Sequence, residues 1–249
     1  MPSVRRQVAP RVGLGLTVAS VGLLAGCTST QTTAARERLN SAREVAAQTS
    51  TIVRHGGSAV LVSALAVVTG TRVPRTAVVV TLSNRTAQPL SDLPISVGYT
   101  LDGKRSYLNS SESLGYFGSH IPLLDAHGQS TWVFSSARKL PIGAHPFALV
   151  GAQPSVGPGP IPGTPTVSAT AVGSASGGSL EVRVDNTSGI PQDQLQVYVD
   201  GTRGNRVVTA GVRTVSYIGS GSMETVRIPL AGAPGGATVH LKALPTIYK

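Results

Sequence analysis

Two stretches of this chain, about a hundred residues apart, follow one pattern, and repetition at that spacing points to two copies of one folding unit. Val62-Ser63-Ala64-Leu65-Ala66-Val67 returns as Val167-Ser168-Ala169-Thr170-Ala171-Val172, an offset of 105 residues. Val80, Leu82, Asn84, Pro89, Leu93 and Val97 then return as Val182, Val184, Asn186, Pro191, Leu195 and Val199, at an offset of 102. Six positions in register over 18 residues, an asparagine and a proline among them, exceed what an Ala/Val-rich composition produces by chance. The three residues lost between the two matches fall in a connecting loop, where a chain tolerates deletion best.

The spacing within each copy reads as strand, polar turn, strand. Val78, Val80 and Leu82 alternate, so they share one face of a strand; Asn84 ends it, because its side chain can satisfy backbone groups in a turn; Pro89 stiffens the loop; Leu93, Ile95 and Val97 return to the core. Val, Ile, Thr and Tyr run in short segments between Gly, Pro, Asn and Asp from residue 58 onward, which predicts strands at 78–82, 95–101, 132–134 and 147–150. Their counterparts are 180–184, 195–199, 206–208, 212–218, 225–228 and 238–244. Residues 151–165 hold five prolines and four glycines, a composition that makes a linker and would hold two modules apart.

The expected fold is therefore all-β, with two tandem immunoglobulin-like β-sandwich domains at 58–152 and 164–249 joined by a Pro/Gly linker at 153–163. The stretch from Asn84 to Lys104, which runs Asn84-Arg85-Thr86-Ala87-Gln88-Pro89-Leu90-Ser91-Asp92-Leu93-Pro94-Ile95-Ser96-Val97-Gly98-Tyr99-Thr100-Leu101-Asp102-Gly103-Lys104, resembles the small immunoglobulin-like modules of bacterial envelope proteins, of the FxLYD or CARDB sort. That resemblance implies an extracytoplasmic interaction or spacer domain. The chain departs from the FxLYD pattern at Gly98 and Thr100, where bulkier residues are usual.

The N-terminus carries a different signal. Arg5, Arg6 and Arg11 precede an apolar run at 12–24, and Leu24-Ala25-Gly26-Cys27 follows it, with small residues just before the only cysteine of the chain. This arrangement resembles the bacterial lipobox. The resemblance implies removal of a signal peptide, residues 1–26, by cleavage between Gly26 and Cys27, and a diacylglycerol thioether on Cys27. The partner at that end would be the lipid bilayer, and the location the outer face of the cytoplasmic membrane. The apolar run is short of the roughly 20 residues that span a bilayer, so the chain would be anchored without crossing. A cysteine consumed by lipid can serve neither as a nucleophile nor in a disulfide. Within residues 27–57 a polar leash at 28–33 is followed by helix formers at 34–50, with Ala35, Leu39, Ala42 and Ala46 along one face of a short helical stem. Loss of residues 1–26 removes three arginines and no acids, lowering the formal charge from +10 to +7. The exported part stays basic, which favours anionic lipid or acidic polymers; the cations are scattered, and nucleic acid is not an expected partner. Abundant Gly, Ala and Val with few lysines suggests a GC-rich genome such as an actinobacterium.

No reaction chemistry stands out, and no cofactor or catalytic residue is expected. His120, Asp125, His127 and His145 are close in sequence but lack the fixed spacing of a metal site, and read as loop residues. Ser136-Ala137-Arg138-Lys139 matches the S-x-x-K of penicillin-interactive enzymes without the helix start it needs or its partner motifs. Asn84, Asn109 and Asn186 each begin an N-x-S/T triplet, and the first and third are better explained as turn residues. Tyr107, Tyr116 and Phe117 lie amid serine and glycine, which admits two readings: a displayed interaction patch, or a cap over the open end of the first sandwich. The functional expectation is a tethered, non-catalytic interaction or scaffold module that binds another envelope protein. The alternatives are a receptor or carrier for a small ligand, lipid or cation in an apolar cavity and, more remotely, a hydrolase using Ser136 or the histidines.

Overall fold

The computed structural model describes residues 52–70, 75–111, 114–152 and 165–247, together with Glu37, Ser41, Arg43 and Glu44. The expected signal peptide, Gly26 and Cys27, the leash, the Pro/Gly linker at 153–163 and most of the stem lie outside the described residues. Glu37, Ser41, Arg43 and Glu44 have helical backbone. Asn40–Lys249 is one compact unit, and from residue 52 onward its described part is all-β, built from antiparallel sheets in a β-sandwich-like arrangement.

In the first half, β1 (Val60–Thr69), β2 (Thr76–Asn84) and β6 (Gln129–Ser136) form a sheet in the order β1-β2-β6. The facing sheet centres on β3 (Leu90–Leu101). Its first residues pair with β5 (His120–Leu124), and its later ones with β4 (Lys104–Tyr107) and with β7 (His145–Val150). The second half repeats this plan. There β8 (Val167–Ala171), β9 (Ser179–Asn186) and β12 (Ser222–Pro229) form a sheet in the order β12-β9-β8. Opposite it, β10 (Gln192–Arg203), β11 (Arg206–Ile218), β13 (Ala231–Gly232) and β14 (Thr238–Leu244) are ordered β13-β11-β10-β14.

The repeat extends to backbone detail. At an offset of 102, β3 maps onto β10 end to end, and Asp92 and Gln194, also 102 apart, both take φ of 52° in mid-strand. A non-glycine residue rarely adopts this left-handed conformation, and both residues drop out of the ladder where they adopt it. The alternating sets pack as expected: Val78, Val80, Leu82, Leu93, Ile95 and Val97 are buried in one cluster, and Val182, Val184, Leu195, Val197 and Val199 in another.

One expectation fails. The linker composition predicts two separated modules, yet the β1-β2-β6 sheet packs its outer face on the second half. Strand β11 touches β1, β2 and β6, and β10 touches β6. Tyr198, Ala210, Ala231 and Leu244 of the second half belong to the same buried cluster as Ala77, Val79 and Val133 of the first. The reason lies in β2, whose Ala77-Val78-Val79-Val80 run is apolar on both faces and must be covered on both. Its counterpart β9 alternates, with Glu181, Arg183 and Asp185 pointing outward, and remains a surface strand.

Gly98 on β3 sits where close packing leaves no room for a side chain. A side-chain carbon there would lie 2.1 Å from Ser106 O and 2.7 Å from Phe147 Cζ, so this place on β3 admits only hydrogen.

Candidate functional site

The site of interest lies where the repeat is broken. Asn84 and Asn186 each reach across to the end of an opposing strand, Asn84 to Leu124, 40 residues on, and Asn186 to Ile218, 32 residues on. The first half therefore carries eight extra residues, and they interrupt what is the continuous strand β11 in the second half. The interruption is 108–119, between β4 and β5.

Asn109 bridges the gap. Its Oδ1 accepts from Val97 N at 2.9 Å, and its Nδ2 donates to Ile95 O at 2.8 Å and to Gly118 O at 3.1 Å. One side-chain amide thus satisfies the β3 groups that a backbone strand would have paired. The residue is buried, a role that the triplet Asn109-Ser110-Ser111 does not disclose.

The rest of the insertion folds back as a 3-10 turn, Tyr116–Gly118. Tyr116 and Phe117 are 7% and 3% exposed, so they cover the first half rather than face solvent. Their rings meet edge to face at 5.0 Å, and His120 stacks on Tyr116 at 3.9 Å between centroids. Onto this platform comes Arg43. Its guanidinium lies 5.6 Å from the Tyr116 ring and 5.1 Å from the Phe117 ring, and Nη2 donates to both carboxylate oxygens of Asp92 at 3.1 Å. Both members of this ion pair are buried. The left-handed backbone at Asp92 places the carboxylate there. The expected stem face, Ala35, Leu39, Ala42 and Ala46, lies outside the described residues; the stem contact found among the described residues is the cationic one of Arg43, and nothing in the local pattern announces it.

Burial dominates the electrostatics. It raises the Asp92 carboxyl above its ordinary value, although Arg43 opposes the shift by charge and hydrogen bonding. It raises the Tyr116 hydroxyl well above the ordinary tyrosine value. It lowers His120 to about 4, against a smaller opposite effect from the Nδ1–H donated to Tyr116 O at 3.0 Å. His120 is therefore neutral at physiological pH.

Beside Phe117, at the seam between the halves, runs a half-open groove of about 390 Å³. Phe117, Phe134 and Val212 supply apolar walls, and Gln194, Gln196 and Thr214 supply amides and a hydroxyl. Gln194 is the left-handed counterpart of Asp92, so the duplicated backbone feature serves the ion pair in one copy and the groove in the other. Gln196 is already held, donating to Gln194 O at 2.7 Å and Thr214 Oγ1 at 3.2 Å.

The remaining sequence candidates are dispersed. Tyr107 is half-buried on β4 and meets Phe147 edge to face at 5.4 Å, with Arg105 over the same ring; it does not join Tyr116 and Phe117 in one patch. Asp125 and His127 occupy the turn before β6, and His145 begins β7. No three His, Cys, Asp or Glu side chains converge among the described residues. Ser136 ends β6, where its Oγ accepts from Arg138 N at 3.0 Å.

No protein-family model matches the chain, and no curated protein matches it. Among solved structures, it is similar to the C-terminal globular domain of an oligosaccharyltransferase from Pyrococcus abyssi, at 7% identity and a TM-score of 0.23. That likeness covers 82% of this chain and 53% of the other, so the chain spans about half the length of the structure it matches.

Proposed function

We propose that the chain is a membrane-anchored extracytoplasmic lipoprotein whose tandem immunoglobulin-like sandwiches act as a non-catalytic interaction or scaffold module of the cell envelope. Acylated Cys27 holds it at the outer face of the cytoplasmic membrane, and the helical stem leads into the first sandwich. The lipobox residues Leu24-Ala25-Gly26-Cys27 support the anchor.

The observation that carries the interaction reading is the groove at the seam. It is half-open and mixes aromatic walls with amide and hydroxyl groups, as surfaces that bind an extended peptide do. The shared sheet face beneath it supports a rigid platform, which reduces the ordering cost of binding. The groove also favours the small-ligand carrier reading, but it is half-open with Ser135, Gln194, Gln196 and Thr214 on its walls, and a lipid carrier would need a closed apolar cavity.

Photo-crosslinking in living cells from Thr214, followed by mass spectrometry, tests the reading. An envelope protein captured from Thr214 and lost in a Phe117→Ala variant is the expected result. A small molecule that travels with the purified protein in native mass spectrometry, without any protein crosslink, would transfer the assignment to a carrier.

A further inference from the structure

We infer that the loop end of the first half is a second membrane contact, which inserts one apolar side chain into an anionic lipid surface. Ile142 is the starting point: it is fully exposed, at 101% of its reference area. This is no frayed position. Ala144 N donates to Pro141 O at 3.2 Å, and Gly143 has φ of 79°, which makes Pro141-Ile142-Gly143-Ala144 a closed turn with glycine where a left-handed residue is required. The turn holds Ile142 at its apex, pointing away from the protein. A fixed isoleucine in water contributes nothing to the fold.

The surroundings specify the occupant. The β6–β7 loop carries Arg138 and Lys139, both exposed. Thr100 pairs with His145, so the β3–β4 hairpin lies at the same end, and a side-chain carbon at Gly143 would be 3.9 Å from Leu101 Cδ1. That hairpin adds exposed Lys104 and Arg105. Thr76 pairs with Ser136, which brings Arg75 to this end as well. Against these five cations stands one carboxylate on the two loops, Asp102. Five cations at the same end as a single exposed apolar apex match an anionic lipid interface, where the cations meet headgroups and the side chain enters the acyl boundary. A protein partner would call for a broader apolar patch.

The inference rests on the anchored reading only in that it needs the chain at a membrane; it adds that the first half lies loop-end down, with the groove displayed at the side. Its test uses the full lipidated chain in vesicles, with Ile142→Cys carrying an environment-sensitive dye. Cys27 is the only native cysteine, and acylation leaves the new thiol as the one labelling site. In vesicles of phosphatidylcholine with phosphatidylglycerol, the dye emission should shift to the blue and be quenched by spin-labelled acyl chains. Both effects should be lost in pure phosphatidylcholine and in the Arg138→Glu/Lys139→Glu background. A dye at Met223→Cys, on the outer sheet of the second half, should stay unquenched. An unquenched dye at 142, equal quenching at 142 and 223, or binding of a soluble polyanion with no lipid quenching would each overturn the inference. The anchor is judged separately, by the mass of Cys27 in the native protein. Should Cys27 prove unmodified, the same readout on the Cys27→Ser chain with added vesicles still decides the loop end.

Discussion

Asn84 and Asn186 make the same set of hydrogen bonds in the two halves of the chain. Asn84 Nδ2 donates to Gln88 O, Leu124 O and Asp125 O at 2.7, 3.3 and 2.9 Å, and Asn186 Nδ2 to Ile190 O, Ile218 O and Gly219 O at 2.9, 3.5 and 3.0 Å. Each Oδ1 accepts from the backbone N–H and the hydroxyl of the residue two places on, Thr86 in one half and Ser188 in the other. Each amide ties the turn after one strand to the end of a strand in the opposite sheet. Asn84→Ala or Asn186→Ala should destabilise the protein by about 3 kcal/mol, since several buried groups lose their partner together. Asn→Asp should do no better, because a carboxylate would face three carbonyl oxygens. Urea unfolding of the single variants measures both effects.

Arg43 and Asp92 form a buried ion pair, and breaking one member strands the other's charge. Arg43→Ala and Asp92→Ala should each cost about 3 to 5 kcal/mol, whereas Arg43→Met with Asp92→Asn should cost markedly less. A double-mutant cycle by chemical denaturation reads the coupling, and faster protease cleavage near residue 43 would report release of the stem. A double-variant cost equal to the sum of the two single costs would show that the pair is not coupled.

His120 should make stability fall as the solution is acidified. Its folded value of about 4 lies below the ordinary 6.5, so the unfolded chain binds a proton that the folded chain refuses within that window. Its contribution is complete above 6.5 and is lost as pH falls toward 4, amounting to about 2 kcal/mol between about pH 7 and about pH 5. Asp92 acts in the opposite direction at more acid pH, because its raised value lets the folded chain take a proton first as pH falls. His120→Phe, which keeps a ring on Tyr116, should flatten the slope between pH 7 and 5 in urea titrations.

The seam between the halves gives two variants of opposite effect. A side-chain carbon at Gly232 would lie 2.1 Å from Val208 O and 2.4 Å from Val68 Cγ1, and the backbone there is left-handed at φ 84°. Gly232→Val should therefore wedge the halves apart and split thermal unfolding into two transitions in calorimetry. Tyr198 presents toward the same seam a buried hydroxyl that has no hydrogen-bond partner among the described residues. Tyr198→Phe should leave stability unchanged or raise it by about 1 kcal/mol, because an unsatisfied polar group is removed while the packing is kept.

How far the fold was legible depended on the distance over which each signal acts. The repeat located β2, β3, β9 and β10, and the alternation named their buried faces correctly. Asn84 and Asn186 could be read as turn locks from their place between two alternating runs. The unbroken apolar run 77–80 in β2, set against the alternating β9, was a visible sign of a strand covered on both faces. The Pro/Gly composition of 151–165 pointed the other way, since composition describes how a segment bends and not where its ends dock.

Periodicity, turn chemistry and self-similarity are local properties, and from them alone the sequence determined the duplication, the strands β2, β3, β9 and β10 with their buried faces, and the lipobox-like start, while β1, β5 and β8 were not read as strands. The tertiary structure decided the rest. Arg43 and Asp92 are 49 residues apart, and no local pattern distinguishes an arginine that will be buried from one that will be solvated. The groove, the shared sheet face and the clustering of basic loops arise from chain closure across tens of residues, where the free energy depends on which surfaces meet and not on which residues are neighbours in sequence.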